Sequence, residues 1–236
     1  MFSLAVAFNQ PLGDWDVSSV TDMDRMFHNA TAFDQPLGTW DVSSVTDMAW
    51  MFYAAAAFNL PLGEWDVSSV TDMSEMFSLA VAFNQPLGDW DVSSVTDMSG
   101  MFSLAAAFNQ PLSDWDVSSV TDMRFMFLGA AALSQQLAAS SLTHSLRKWN
   151  VQKVTGMSSM FDSDKVFFSN ALSWEFHPSL CAARTGPIHV LLGQREKRTT
   201  EVAQLRRLHS LAVEDPSCLH PLFGDANLIE LIAQSI

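Results

Sequence analysis

Residues 65–88 read WDVSSVTDMSEMFSLAVAFNQPLG, and the nonamer at their head occurs five times unchanged, beginning at Trp15, Trp40, Trp65, Trp90 and Trp115. The period is 25 residues. Self-similarity at a fixed period of this size is the signature of a repeat architecture. The residues between the nonamers recur as well. Met26-Phe27, Met51-Phe52, Met76-Phe77, Met101-Phe102 and Met126-Phe127 share one position. Phe33, Phe58, Phe83 and Phe108 share another, followed by Pro36, Pro61, Pro86 and Pro111, each before a leucine. A decayed sixth copy reads Trp149-Asn150-Val151, then Val154-Thr155-Gly156-Met157 and Met160-Phe161. It starts 34 residues after Trp115, so about nine residues are inserted, near 138–146. Trp174 follows Trp149 by another 25 and points to a seventh strand.

Within one repeat the hydrophobic period changes. Trp15, Asp16, Val17 and Ser18 alternate apolar and polar, which is the pattern of a strand with one buried face. Met23, Met26, Phe27 and Ala30 fall at i, i+3, i+4 and i+7, which places them on one face of a helix of about two turns. Thr21 is the expected N-cap, with Asp22 adding negative charge at the positive end of the helix dipole. The stretch Phe33-Asp34-Gln35-Pro36-Leu37-Gly38 then returns the chain to the next strand, because Pro36 cannot donate to a ladder and Gly38 suits a turn. A single repeat cannot bury its own apolar face, but stacked copies can. Each large side chain buried in this way contributes roughly 1.5–3 kcal/mol. The expected fold class is an α/β repeat: a right-handed leucine-rich-repeat-like solenoid with one short strand and one short helix per repeat, its strands about 4.8 Å apart. The expected domains are a repeat solenoid over 1–176 and a helical C-terminal cap or tail over 177–236. Within the first, five near-identical repeats run to about 133, an insertion covers about 138–146, and a degenerate repeat covers 146–176.

The spacing Leu12-x-x-Trp15-x-Val17 matches the L-x-x-L-x-L of leucine-rich repeats. With MF and FNQPLG following the nonamer, the sequence resembles the 25-residue repeats of BspA-like leucine-rich-repeat surface proteins, a family also described as a mycoplasma lipoprotein repeat of unknown function. The resemblance is strong over about 1–133 and weak over 146–176. It implies a surface-exposed or secreted protein, in some members an adhesin, and no enzymatic activity. It supplies no catalytic residues. It does not extend to the insertion or to the tail.

Charge separates the same regions. Residues 1–140 carry 17 acidic side chains against Arg25 and Arg124, a net of −15, while residues 181–236 hold six acids and six bases. The whole chain of 236 residues has a net charge of −14. Such acidity opposes nucleic-acid binding, which needs clustered Lys and Arg. The 48% hydrophobic content excludes a disordered acidic tail. No run of 18 apolar residues offers a transmembrane span. Both cysteines, Cys181 and Cys218, lie in the tail, where they either form one disulfide or remain buried thiols. Gln194–Val213 reads as an amphipathic basic helix, which either caps the array or docks on a partner or acidic lipid.

If Trp and Val of the strand point inward, the residues between them line the concave surface. The candidate binding residues are therefore Asp16, Ser18, Asp41, Ser43, Asp66, Ser68, Asp91, Ser93, Asp116 and Ser118. Carboxylates stacked about 5 Å apart repel by roughly 0.8 kcal/mol in water. Three readings address that cost. Each Asp accepts hydrogen bonds from a neighbouring Ser, Thr or backbone N–H; or the column, flanked by Asp14, Glu64, Asp89 and Asp114, faces a basic partner; or it binds calcium, although no dense carboxylate loop is present to supply six to eight oxygens. Carboxylate pairs can also hydrolyse glycosides, but here they recur in every repeat and none is singled out. The six histidines occupy no common repeat position and have no metal-ligand spacing. Neither a phosphate-binding glycine loop nor a nucleophile elbow occurs. Asn29-Ala30-Thr31 is a glycosylation sequon at a doubtful helical position.

The expectation is a non-catalytic scaffold, without cofactor or metal, that binds a protein or other macromolecule, more readily a basic one than an acidic one. The alternative is a purely structural module or a fragment of a longer chain. Met1–Phe8 matches Met76–Phe83, so the sequence starts in mid-repeat with no signal peptide; an open apolar end of this kind invites end-to-end self-association.

Overall fold

The computed structural model describes residues 1–138, 146 and 148–161. The chain divides into two compact bodies, Met1–Glu175 and Phe176–Ile236. The segment Gln194–Val213, expected to be helical, both cysteines and Trp174 lie outside the described residues, as does most of the insertion.

The local structure of each repeat differs from the strand and helix read from its sequence. Among the described residues the single helix is α1 (Ala131–Ala138). Residues 23–30 and their equivalents form successive tight turns. The reason lies in the backbone. Two positions in each repeat have left-handed dihedrals: Arg25, Trp50, Glu75 and Phe125 at one, with φ of 54–60°, and Leu4, Asn29, Ala54, Leu79 and Leu104 at the other, with φ of 54–64°. Gly100 and Gly129 occupy the same two positions at φ of 62° and 72°. A left-handed residue every fourth position stops a right-handed helix from propagating.

The turns redirect the backbone donors. In the third repeat the N–H groups of Met73, Glu75, Phe77 and Leu79 donate to the carbonyls of Asp97, Ser99, Met101 and Ser103 in the fourth, at 2.7–3.0 Å. Those of Met76, Ser78 and Ala80 donate three residues back, to Met73, Glu75 and Phe77, at 3.1–3.3 Å. The N–H of Ser74 donates to Asp72 Oδ1 at 2.8 Å. Every donor from 73 to 80 is thereby accounted for, as buried backbone requires. The first, second and fourth copies repeat the scheme. In the fifth, Met123, Phe125 and Phe127 reach across the insertion to Gly156, Ser158 and Met160. Parallel bridges link Asp22, Asp47, Asp72, Asp97, Asp122 and Gly156 in succession. The pairing thus falls on the Asp22 column and not on the Trp15–Ser18 segment. Thr21 caps no helix; instead the Thr46 N–H and Oγ1 both donate to its carbonyl, at 2.8 and 3.1 Å.

Beneath this ladder the apolar side chains stack in columns. Phe27, Phe52, Phe77, Phe102 and Phe127 follow one another with ring centroids 5.5–5.9 Å apart and planes within 11°. Phe33, Phe58, Phe83 and Phe108 form a second column beside them, and all nine rings are fully buried. Trp40, Trp65, Trp90, Trp115 and Trp149, which share the nonamer position, are 3–4% exposed. Each indole N–H donates to a leucine carbonyl one repeat back, as Trp65 does to Leu37 at 3.0 Å, so the buried ring leaves no orphan donor. The inward placement of Trp, Val, Met and Phe is therefore what the sequence pattern requires.

Helix α1 occupies the return segment of the fifth repeat. Four copies have Pro36, Pro61, Pro86 or Pro111 there, and Gln136 takes their place in the fifth. With the proline gone, the barrier to helix is removed. Ala138 likewise replaces the residue equivalent to Gly38.

Paired alanines test the turn assignment. Ala54→Gly, at φ 54°, is expected to be neutral or to stabilise by up to about 1 kcal/mol. Ala55→Gly, in the core, is expected to cost about 1 kcal/mol or more in urea unfolding. A helix over this segment would make both substitutions costly.

Candidate functional site

The residue between Trp and Val of each nonamer comes to the surface, and the structure brings the sequence-derived candidates together as a column. Asp16, Asp41, Asp66, Asp91 and Asp116 are all exposed. Each builds a local turn: the N–H groups of Ser18, Ser43, Ser68, Ser93 and Ser118 donate to Oδ1 of the aspartate two residues earlier, at 3.0–3.1 Å. The hydroxyls of Ser18, Ser43 and Ser68 donate to the same oxygen at 2.6–2.7 Å. This is the Asx turn, in which a short carboxylate satisfies nearby backbone.

These bonds decide the electrostatics. The serine hydroxyl, followed by the serine N–H, holds the carboxyls of Asp16, Asp41, Asp66 and Asp91 below the ordinary aspartate range. For Asp116 the backbone N–H contributes most. Repulsion from Asp66 and Asp16 pushes Asp41 the other way but ranks behind both hydrogen bonds. The column therefore stays charged, and its own turns stabilise that charge. In the sixth repeat Asn150 takes the place of the aspartate and accepts the Gln152 N–H at 3.2 Å, so the turn needs the oxygen and not the charge.

A second acidic column runs through Asp22 and its equivalents, and the helical spacing of the residues after it hides this role in the sequence. Asp47, Asp72, Asp97 and Asp122 are half-buried, and each Oδ1 accepts the N–H two residues on, at 2.8–2.9 Å. Burial, opposed by the Ala49 N–H, pushes the Asp47 carboxyl up, with Asp72 and Asp22 adding to the rise. Arg124 pairs with Asp122 through Nε and Nη2, the latter at 2.6 Å. A third polar column joins Asn9, Asp34, Asn59, Asn84 and Asn109, each side-chain oxygen before the last accepting the backbone N–H of the next residue at 2.8–3.2 Å.

Glu75 stands apart. Burial raises its carboxyl above the ordinary 4.5, a hydrogen bond from Ser78 opposes the rise, and Asp97 adds to it. A Cβ added at Gly100 would overlap this carboxyl, so the glycine is the space in which Glu75 sits.

A family model described as "Mycoplasma protein of unknown function, DUF285" matches residues 1–78, 36–140 and 58–174. The chain belongs to this family. Its three overlapping matches run through the whole repeat array. No curated protein and no solved structure matches the chain. Among the described residues no group of three or more His, Cys, Asp and Glu is placed to hold a metal ion. Among the same residues no helix is long and apolar enough to cross a membrane.

The raised Glu75 value fixes the sign of a pH effect. Its folded value lies above its unfolded one, so the stability it contributes is full below about pH 4.5 and is lost as pH rises through the folded value. Glu75→Gln mimics the protonated form. It should raise the thermal midpoint at about pH 7, and the gain should vanish at about pH 4.

Proposed function

We propose that this chain is a non-catalytic scaffold whose stacked repeats wind as a right-handed solenoid, leucine-rich-repeat-like in period, and bind a macromolecule through the Asp–Ser column. In this reading the protein acts at a cell surface or is secreted, in adhesion or recognition, as the resemblance to BspA-like repeats implies. One observation carries it: five identical exposed carboxylates, kept charged by their own serines, recur at one position of successive repeats. Such a column selects by electrostatic complementarity, favours a basic partner and speeds encounter with it. No cofactor enters the reading. An active site would depart from the repeat at the place of the chemistry, and this column keeps the same residues in all five copies.

A second reading, a purely structural module, draws on the same bonds, since each carboxylate also builds a turn. The two readings differ in whether the charge itself matters. Asp66→Asn with Asp91→Asn keeps the turn-building oxygen, as Asn150 does, and removes two charges. Binding of a labelled poly-L-lysine probe at low salt should fall about tenfold, equivalent to about 1.4 kcal/mol, with the thermal midpoint unchanged. Asp34→Asn with Glu75→Gln removes two charges elsewhere and should leave binding nearly intact. Equal losses in both pairs would contradict a dedicated acidic edge.

A further inference from the structure

The repeats are constant in their core and in the nonamer and diverge along the turn ribbon, at two positions among others. The first reads Arg25, Trp50, Glu75, Gly100 and Phe125; the second reads His28, Tyr53, Ser78, Ser103 and Leu128. In the first two repeats these positions assemble one cluster. The Arg25 guanidinium lies 5.5 Å from the centroid of the Trp50 ring. Trp50 and Tyr53 meet at 4.8 Å, His28 stacks on Tyr53 at 4.9 Å and an interplanar angle of 11°, and Asn29 Nδ2 lies 3.0 Å from His28 Nδ1.

The fold does not require these side chains. Beneath them Met26, Phe27, Met51 and Phe52 already close the core, each 7% exposed or less. The fourth repeat forms the same turn, with the same left-handed first position, from Gly100 and Ser103. Indeed Arg25 and Trp50 tolerate a left-handed backbone that Gly100 adopts without penalty. An aromatic and guanidinium cluster that packing does not demand, with His28, Trp50 and Tyr53 half-buried and Arg25 exposed, has the composition of an interface hot spot, where Trp, Tyr and Arg dominate.

We infer that Arg25, His28, Trp50 and Tyr53 form a docking site for a basic segment of a partner protein, with Trp50 and Tyr53 as apolar anchors. Charge complementarity selects this occupant. Arg25 is already paired with Asp24 at 2.6 Å, and Asp22, Asp47 and Asp72 occupy the same ribbon in this and neighbouring repeats. The surroundings are therefore negative and repel an anionic chain. The site does not rest on the Asp16 column, and it can stand or fall separately.

A peptide library displayed on phage, panned against the full chain, tests the site. Trp50→Gly with Tyr53→Ser gives the second repeat the residues that the fourth already carries, so the fold has an internal precedent and the net charge is unchanged. Selected peptides should be rich in Lys and Arg around an aromatic or aliphatic residue. Their binding should fall about tenfold or more on the double variant, with an unchanged thermal midpoint, and should survive Asp66→Asn with Asp91→Asn. The assignment is overturned by any of four results: no enrichment, selected peptides without basic residues, equal binding to wild type and Trp50→Gly/Tyr53→Ser, or Trp50- and Tyr53-dependent binding of a glycan array in place of peptides.

Discussion

In the third repeat the amides at positions 73, 75, 77 and 79 leave their own turns and reach the carbonyls of the fourth, and the other complete copies do the same. The rest of the structure depends on this ladder. It fixes the register at 25 residues, because a shift by one residue would present the wrong half of the donors. It also stacks the Phe27 and Phe33 columns in register, so the aromatic columns and the ladder enforce the same spacing. The left-handed residues are part of this arrangement. Each non-glycine costs about 1–2 kcal/mol of backbone strain. That strain turns alternate amides outward, where each gains a partner in the neighbouring repeat.

The sequence made the period, the buried set and the alternation of the nonamer legible. Trp65, Val67, Val70, Met73, Met76, Phe77 and Phe83 are all buried, as their spacing implies. The local geometry was not legible. Met23, Met26, Phe27 and Ala30 have helical spacing, yet a run of turns three to four residues long places side chains on one face equally well. The feature that separates the two is φ at positions 25 and 29 of each repeat. Asn29, Gly100 and Gly129 carry that signal in single copies, but Arg25, Trp50, Glu75, Leu79, Leu104 and Phe125 at the same positions mask it. For the same reason the sequence pattern makes Asp22 look like a helix-dipole partner, whereas its oxygen accepts the amide of Asp24 at 2.8 Å. Of the candidate site, the Asp–Ser pairing could be foreseen from the two-residue spacing. The Arg25–Trp50–Tyr53–His28 cluster could not, because its members lie in different repeats and meet only when the register is known.

Membership in a family of unknown function leaves the division of labour within the chain as the best guide to its biology. Invariant positions build the ladder, the core and the charged edge. Variable positions sit on the turn ribbon, where side chains can change without disturbing either. A scaffold of this kind can hold one architecture while its ribbon acquires distinct recognition residues, copy by copy.

The ladder itself can be observed directly. The chain contains one tyrosine, Tyr53, and the Asn29 amide donates to its carbonyl at 2.7 Å. Protein labelled with nitrogen-15 in asparagine and carbon-13 in the tyrosine carbonyl should show a single through-hydrogen-bond coupling, from the Asn29 amide nitrogen to the Tyr53 carbonyl carbon. No sequential bond can mimic it, since Tyr53 is followed by Ala54. Absence of that coupling, with Asn29 instead coupled to the Arg25 carbonyl in an arginine-labelled sample, would place residues 23–30 in a helix and contradict the account.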